Sequence, residues 1–553
     1  MSTFVSGPES AGASRPESPE ATLGSGTPGG SAGAPIRDRR LILAVLCVSL
    51  LLVSLDNTIL NVALPVIVRT LHASSSSLQW IVDSYAIVFA GLLLVAGSLG
   101  DRVGRKWVFM AGLVIFSAGS AVSAFSGSAD RLIAARAFMG VGGAAIMPST
   151  LSILTSTFTE ARERARAIGI WSGTTGLGVA VGPVVGGWLL AHFWWGSVFL
   201  VNVPIAAVGL FAAVWLVPNS KNPDTKRPDP IGAALSIVGM GLLLWGIIEA
   251  PDRSWTSPLI LGAVAAAVVV LAAFMTWERH SSHPMLEVSF FASRRFSAAM
   301  GAMGLVMFAL MGGLFLLTQY LQFSLGYTAF QTGLRIAPIA AVLLVVAPLS
   351  SLVDHIVGTK PVVFGGMAFI ALGFALLTRV TVHDGYMDVL PAFLLIGLGT
   401  GLAFAPCTES VMGSLPIEQA GVGAATNGAA LQTGGALGVG VLGSLLNTRY
   451  QDRLVPVLAH YKMPESILHM ITGSLGGALS VSQKIGGVLG TNLANFARQS
   501  FVSGLDLAVT VGAVVVGTAG LVVLIVLPNR SAQPELDQSQ ESTPETPAPT
   551  GEN

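Results

Sequence analysis

Charge is scarce in this 553-residue chain: Lys, Arg, Asp and Glu together supply only 10% of it. With 52% hydrophobic residues alongside, a soluble globular protein is excluded. Cysteine is nearly absent, and Cys47 and Cys407 sit in separate apolar segments, so neither a disulfide framework nor a thiolate metal site is expected. The eight histidines are scattered without metal-ligand spacing, and no phosphate-binding glycine loop is present. Enzyme chemistry, a cofactor, a metal and ATP hydrolysis are therefore not expected, which leaves an ion gradient as the energy source. A net charge of zero gives no reason to expect a nucleic-acid partner. No basic segment followed by a short apolar core opens the chain, so no cleavable signal peptide is expected.

What the chain has instead is a series of apolar stretches about 20 residues long, the length at which a helix crosses a bilayer. Fourteen candidate spans run near 41–64, 79–100, 107–126, 131–157, 165–190, 196–217, 230–250, 257–277, 296–317, 331–353, 361–380, 388–411, 422–446 and 505–527. Residues 1–36 and 531–553 are rich in Gly, Ser, Pro and carboxylates and read as disordered tails. The segment 447–504 reads as a long loop with weakly amphipathic stretches. Lys484 argues against a further span there, and a re-entrant hairpin stays open.

Basic residues fall on alternate loops. One set holds Arg37, Arg39, Arg40, Arg102, Arg105, Lys106, Arg162, Arg164, Arg166, Lys221, Lys226, Arg227, Arg279, Arg294, Arg295 and Lys360. The other short loops hold little beyond Arg69, Arg131, Arg253 and Arg379. The bias places the first set and both termini in the cytoplasm, and the 447–504 segment outside.

GSLGDRVGRK at Gly97–Lys106 has a weak echo in SSLVDHIVGTK at Ser350–Lys360. These loops correspond if two six-helix halves flank two extra helices, an arrangement typical of transporters with a site between the halves. The implied fold is an all-α polytopic membrane protein. It has an N-terminal bundle at 37–220, two linker helices within 221–290, and a C-terminal bundle at 291–530.

In GSLGDRVGRK, Gly97 and Gly104 allow close packing and a tight turn, while Asp101 can pair with Arg102, Arg105 or Lys106. The loop resembles the cytoplasmic signature of the major facilitator superfamily. The second copy departs from it, with one residue more between Asp354 and Gly358 and His355 where Arg is usual.

A second motif lies in the fifth span. GIWSGTTGLGVAVGPVVGG carries Gly169, Gly178, Gly182, Pro183, Gly186 and Gly187. In lipid such glycines let helix backbones approach and the Gly-Pro step bends the helix. The spacing resembles the superfamily's antiporter motif, which implies export rather than uptake. LDNTILNVALP at Leu55–Pro65 and QWIVDSY at Gln79–Tyr85 look like the fourteen-helix drug:proton antiporters, exporters of quaternary ammonium compounds, dyes and antibiotics.

An aspartate at mid-membrane costs about 2.5–3.5 kcal/mol to insert, so intramembrane charges read as functional. Asp56, Asp83 and Arg136 are at similar depths in the first, second and fourth spans. The resemblance implies a proton-coupling role for Arg136, and Asp56 is the expected proton carrier, with Asp83, nearer the membrane surface, or Glu409 as a second titrating carboxylate. A purely structural Asp56–Arg136 pair is the alternative. Glu409 suits a cationic substrate or a second proton, or is solvated at the cytoplasmic mouth. Asn61, Gln319, Gln322, Asn427 and Gln432 complete the candidate substrate cavity with Asp56 and Asp83. Trp171, Trp245, Tyr320 and Phe323 offer aromatic surface to a cation or to lipid.

The sequence is thus expected to encode a proton-driven exporter of hydrophobic, often cationic compounds, working as a monomer in a bacterial inner membrane. Its partners are small-molecule substrates, protons and the lipid bilayer. A dedicated exporter of one natural product is the alternative. A membrane enzyme and a channel are disfavoured for want of their signatures, and an uptake symporter by the Gly169–Gly187 run.

Overall fold

The computed structural model describes residues 36–221, 228–281, 284, 288–414, 420–459 and 463–528. Apart from Ile36, both expected tails lie outside them. The helices are α1 (Ile36–Leu71), α2 (Ser75–Val103), α3 (Arg105–Ala124), α4 (Ala129–Thr157), α5 (Ala161–His192), α6 (Ser197–Leu200), α7 (Asn202–Leu216), α8 (Pro230–Arg253) and α9 (Pro258–His280). They continue with α10 (Arg294–Gln319), α11 (Ala329–Val357), α12 (Thr359–Leu377), α13 (Tyr386–Met412), α14 (Ala420–Leu458), α15 (Glu465–Gly473), α16 (Leu475–Ile485) and α17 (Gly487–Val526). Among the described residues, 14 helical spans are long and apolar enough to cross a membrane, α6 and α7 together forming the sixth. An even number puts Ile36 and Pro528 on one side, called here the near face; the opposite side is the far face.

Local chemistry sets the helix starts. Ser74, Ser128, Asp229, Ser257 and Ser293 each cap an N-terminus by accepting a hydrogen bond from a backbone N–H. At α11 the cap is reciprocal: Thr328 Oγ1 accepts from Gln331 N–H, and Gln331 Oε1 accepts from Thr328 N–H, both at 3.2 Å. Pro65, Pro148 and Pro183 lie inside helices, as membrane helices tolerate when neighbours re-satisfy the backbone.

Both halves use one packing scheme. In the first, α1 packs on α5 and α7, α2 on α4, and α3 on α4 and α7. In the second, α10 packs on α14 and α17, α11 on α13, and α12 on α13 and α17. The two halves meet where α5 touches α11 and α2 touches α14, a pair of contacts that the repeat exchanges. The α8–α9 pair lies outside this scheme, with α8 packed on both α2 and α14, over the seam between the halves. Gly104 (φ 132°) and Gly358 (φ 95°) occupy equivalent single-residue corners, between α2 and α3 and between α11 and α12. The corner thus survives the extra residue in the second copy.

The stretch 447–504, expected as a long loop, is largely helical. α14 runs on to Leu458, α17 begins at Gly487, and α15–α16 form a hairpin between them. Hydropathy marks only the lipid-embedded part of a helix; the extensions continue because they find protein partners. Tyr450 Oη donates to Ile471 O at 2.9 Å, Ser482 Oγ donates to Gly490 O at 2.5 Å, and Arg498 Nε donates to Phe323 O at 3.3 Å. A Cβ at Gly476 of α16 would meet Val68 of α1 at 2.6 Å and Phe323 at 2.8 Å, so the hairpin touches both halves.

Candidate functional site

Asp56 and Arg136 form an ion pair between α1 and α4, Arg136 Nη1 donating to Asp56 Oδ2, with both side chains 1% exposed. The rest of each group is also satisfied. Asp56 Oδ1 accepts from Asn202 Nδ2 at 2.9 Å, and the same amide nitrogen approaches Ser120 Oγ at 3.3 Å. Arg136 Nε donates to Ile81 O at 3.2 Å, and its guanidinium carbon lies 4.3 Å from the Tyr85 ring centre. Tyr85 in turn packs on Phe89 and, edge-on, on Phe116. The pair is therefore sealed inside the first half by α1, α2, α3, α4 and α7. Removing one member of such a pair leaves a buried charge, at a cost of about 3–5 kcal/mol.

Asn202, Ser120 and Tyr85 were not expected at the site. Asn202 carried a signal, as the only polar residue in the apolar run FLVNVPI. Nothing in the sequence distinguished Ser120, one of many serines in apolar segments.

Asp83 is not part of this cluster. Ile81 and Tyr85 face Arg136, and at about 100° per residue the position between them points the other way. Asp83 is 0% exposed, and neither of its oxygens has a hydrogen-bond partner among the described residues. A Cβ at Gly440 of α14 would lie 3.5 Å from Asp83 Oδ2 and 2.7 Å from Leu244 of α8, so the carboxyl sits at the seam beneath the linker helices. The expected grouping of Asp56 with Asp83 in one cavity is corrected on this point.

The polar cavity candidates are likewise spread out. Gln322 lies in a single π-helical turn (Tyr320–Ser324) at the end of α10, and its amide donates to Val62 O of α1 at 2.9 Å. Asn61 is next to that contact; its amide donates to Asn57 O at 3.2 Å and its Oδ1 is buried without a partner. Gln319 bonds Phe315 O in its own helix at 3.2 Å. Glu409 Oε1 accepts from Ser351 Oγ at 2.7 Å, on the near-face side of the second half. Asn427 has a buried, unpartnered Oδ1 and Gln432 is half-buried, both on α14. Among the described residues, no hydrogen bond or ion pair joins Gln319, Gln322, Glu409, Asn427 or Gln432 to Asp56 or Asp83.

Of the aromatic candidates, Trp171 donates to Thr150 Oγ1 at 3.1 Å and Tyr320 to Thr381 O at 2.9 Å, so both are committed inside the protein. Phe323 is buried under α16, with Arg69 5.2 Å from its ring centre, and Trp245 lies under Arg253 at 5.8 Å.

The glycine run of the fifth span divides by face. Gly178, Gly182 and Gly186 form a stripe against α1, where any side chain would collide with Ser54, Thr58 or Ile59. Thr58 Oγ1 donates to Gly178 O at 3.2 Å across that contact. Pro183 and Gly187 instead face α11: a Cβ at Gly187 would lie 2.7 Å from Phe330 Cα, and Gly333 abuts the Pro183 carbonyl. Gly169 meets nothing within 4 Å and takes no part. At the near face, Arg105 Nε donates to Asp101 Oδ1 at 2.6 Å and Arg105 Nη1 to Ser152 O at 3.1 Å, while Lys106 Nζ donates to Val214 O at 2.8 Å. The loop motif thus ties α2 and α3 to α4 and α7 within the first half. Gly97 packs on Pro148, and Arg102 is exposed.

Hydrogen bonds between the halves among the described residues lie toward the far face: Gln322 to Val62, and Ser444 Oγ to Gln79 Oε1 at 3.5 Å. Two six-helix halves related by one packing scheme, joined across α2–α14 and α5–α11 around buried intramembrane charges, define a two-bundle membrane transporter. The chain belongs to the Major Facilitator Superfamily, whose family model matches residues 46–439. It is 33% identical to the multidrug efflux pump LfrA of Mycolicibacterium smegmatis, over 87% of this chain and 95% of that protein. It is 32% identical to the tetracenomycin C resistance and export protein of Streptomyces glaucescens, over 89% of this chain and 92% of that one. Similarity to the methyl viologen resistance protein SmvA of Salmonella typhimurium is 30% over 84% of this chain and 93% of that one. In fold it is similar to a bacterial homologue of the human lysosomal transporter Spinster in its inward-facing, unoccupied form. The TM-score is 0.62 at 16% identity, covering 89% of this chain and 98% of that one.

Proposed function

We propose that the chain is a proton-driven exporter of lipophilic, often cationic drugs or antibiotics, acting by alternating access and carrying out no covalent chemistry. The observation that carries the proton reading is the sealed Asp56–Arg136 pair, whose carboxylate has a guanidinium on one oxygen and the Asn202 amide on the other. Protonating Asp56 cancels its charge and frees Arg136, which changes the packing of α1 against α4 and α7. That change is the coupling step. Because Asp56 is enclosed in the first half, substrate acts on it through the movement of the halves rather than by direct contact in this arrangement.

Multidrug efflux and antibiotic-resistance relatives support the export direction, as does the glycine stripe that seats α5 on α1. The protein needs no bound cofactor and works as a monomer, in a bacterial plasma membrane with the near face in the cytoplasm. One proton exchanged for one monovalent cation moves no net charge, so only the pH gradient, worth about 1.4 kcal/mol per unit, drives that exchange. The test is drug-dependent proton release in liposomes holding the purified protein. Release that is lost in Asp56→Asn supports the reading, and full coupling in that variant overturns it. A dedicated exporter of one natural product is the second reading, favoured by the tetracenomycin C relative. A resistance panel of unrelated compounds separates the two.

A further inference from the structure

A cavity of about 400 Å³ lies between the two linker helices and the bundle, away from the Asp56–Arg136 pair. Its lining includes Ile87 and Leu94 of α2, Met240 of α8, Phe274 of α9, Gly301 of α10 and Leu437 of α14. It extends from the near-face half, at Phe274 and Gly301, toward the middle of the membrane, at Ile87, Met240 and Leu437. The volume falls in the range of pockets that hold drug-sized molecules, and the walls are almost wholly apolar.

Three helices continue past the inner end of this slot, and all three lead to the same group. On α2, one turn beyond Ile87 is Asp83; on α8, one turn beyond Met240 is Leu244; on α14, one turn beyond Leu437 is Gly440. Gly440 is the neighbour of both Leu244 and Asp83. The slot therefore ends about 6 Å, one helical turn, short of a buried carboxyl that has no hydrogen-bond partner. A carboxyl left unsatisfied in an apolar setting is costly to keep unless a partner arrives. Met240, a flexible thioether, lines the slot one turn from Leu244.

We propose that this cavity is a binding site for a lipophilic organic cation, its apolar body in the slot between α8–α9 and the bundle and its positive centre at Asp83. The two extra helices thereby wall a side chamber that takes cargo from the near-face half of the membrane. As a loading site it deepens the exporter reading and rests on it, whereas the binding itself does not.

The experiment is equilibrium binding of radiolabelled tetraphenylphosphonium to the full-length protein in lipid nanodiscs, with empty nanodiscs subtracted. Saturable binding is expected, weakened at least 10-fold in Asp83→Asn and retained in Gly169→Ala, on the open part of α5. Gly301→Phe projects into the slot from a position where an added Cβ meets nothing within 4 Å; with a melting temperature matching the native protein it is expected to weaken binding to the same degree. Absence of saturable binding, or binding unchanged in both Asp83→Asn and Gly301→Phe, overturns the site. So does Gly301→Phe merely releasing a co-purified phospholipid while the cation still binds. Binding that behaves as expected in a protein without drug-dependent proton release ends the exporter reading and leaves the site. Proton release with binding insensitive to both variants does the reverse.

Discussion

Gly182 of α5 lies so close to Thr58 of α1 that no side chain fits between them. Gly182→Ala forces the two helices apart, an overpacking cost of about 1–3 kcal/mol. The variant is expected to melt several degrees lower in detergent and to lose most export. Gly169→Ala, on the open part of the same helix, is expected to melt no lower than the native protein. Equal effects at both positions would show that the stripe has no special packing role.

Arg136→Ala leaves Asp56 buried with only the Asn202 amide. A loss of about 3–5 kcal/mol is expected, seen as poor yield and a lowered melting temperature. The double variant Asp56→Asn/Arg136→Ala removes both charges and is expected to recover part of that stability while staying inactive. Thermal unfolding in detergent, paired with liposome transport, reads out both halves of this expectation.

Gln322→Ala deletes the amide bond to Val62 O that ties the two halves together near the far face. A buried neutral hydrogen bond has a net worth of about 0.5–1.5 kcal/mol, which is about a 2- to 12-fold shift in population toward separation at that face. The check is maleimide labelling of Asn61→Cys, with Cys47 and Cys407 replaced by Ala, which is expected to speed up by a similar factor. An unchanged rate would mean that other contacts hold this face shut.

Gly104→Ala and Gly358→Ala place a side chain where φ is 132° and 95°, a region that non-glycine residues rarely adopt. Each is expected to cost at least about 1 kcal/mol. At Gly104 there is a steric cost as well, because a Cβ there would lie 2.6 Å from Asn219 Oδ1. Melting temperatures of the two variants rank these costs.

Much of the fold was legible because lipid restricts the chain to a few options. Apolar stretches near 20 residues long mark spans, and the repeated loop motif marks the two halves. The continuation of α14 and the early start of α17 were not legible. Polar residues such as Arg498 and Gln499 end the hydropathy signal there, and only the contact with Phe323 O shows why the helix persists. Within the site, the Asp56–Arg136 partnership could be inferred from two opposite charges at one depth. The part played by Ser120 could not, because a serine in an apolar helix looks the same whether it bonds its own backbone or a neighbour's side chain.

Fourteen spans and the identities of the intramembrane charges could be read from the residues alone, because an apolar span and a charge within it each leave a mark that lipid enforces, and the loop echo marked the two halves. The tertiary structure decided which charges belong together. Ile81, Asp83 and Tyr85 are spaced two residues apart, yet the first and third serve Arg136 while Asp83 looks out under α8. A helix turns about 200° over two residues, so neighbours on the chain become occupants of opposite faces. Which partners those faces meet depends on how the helices pack, and no stretch of sequence states that alone.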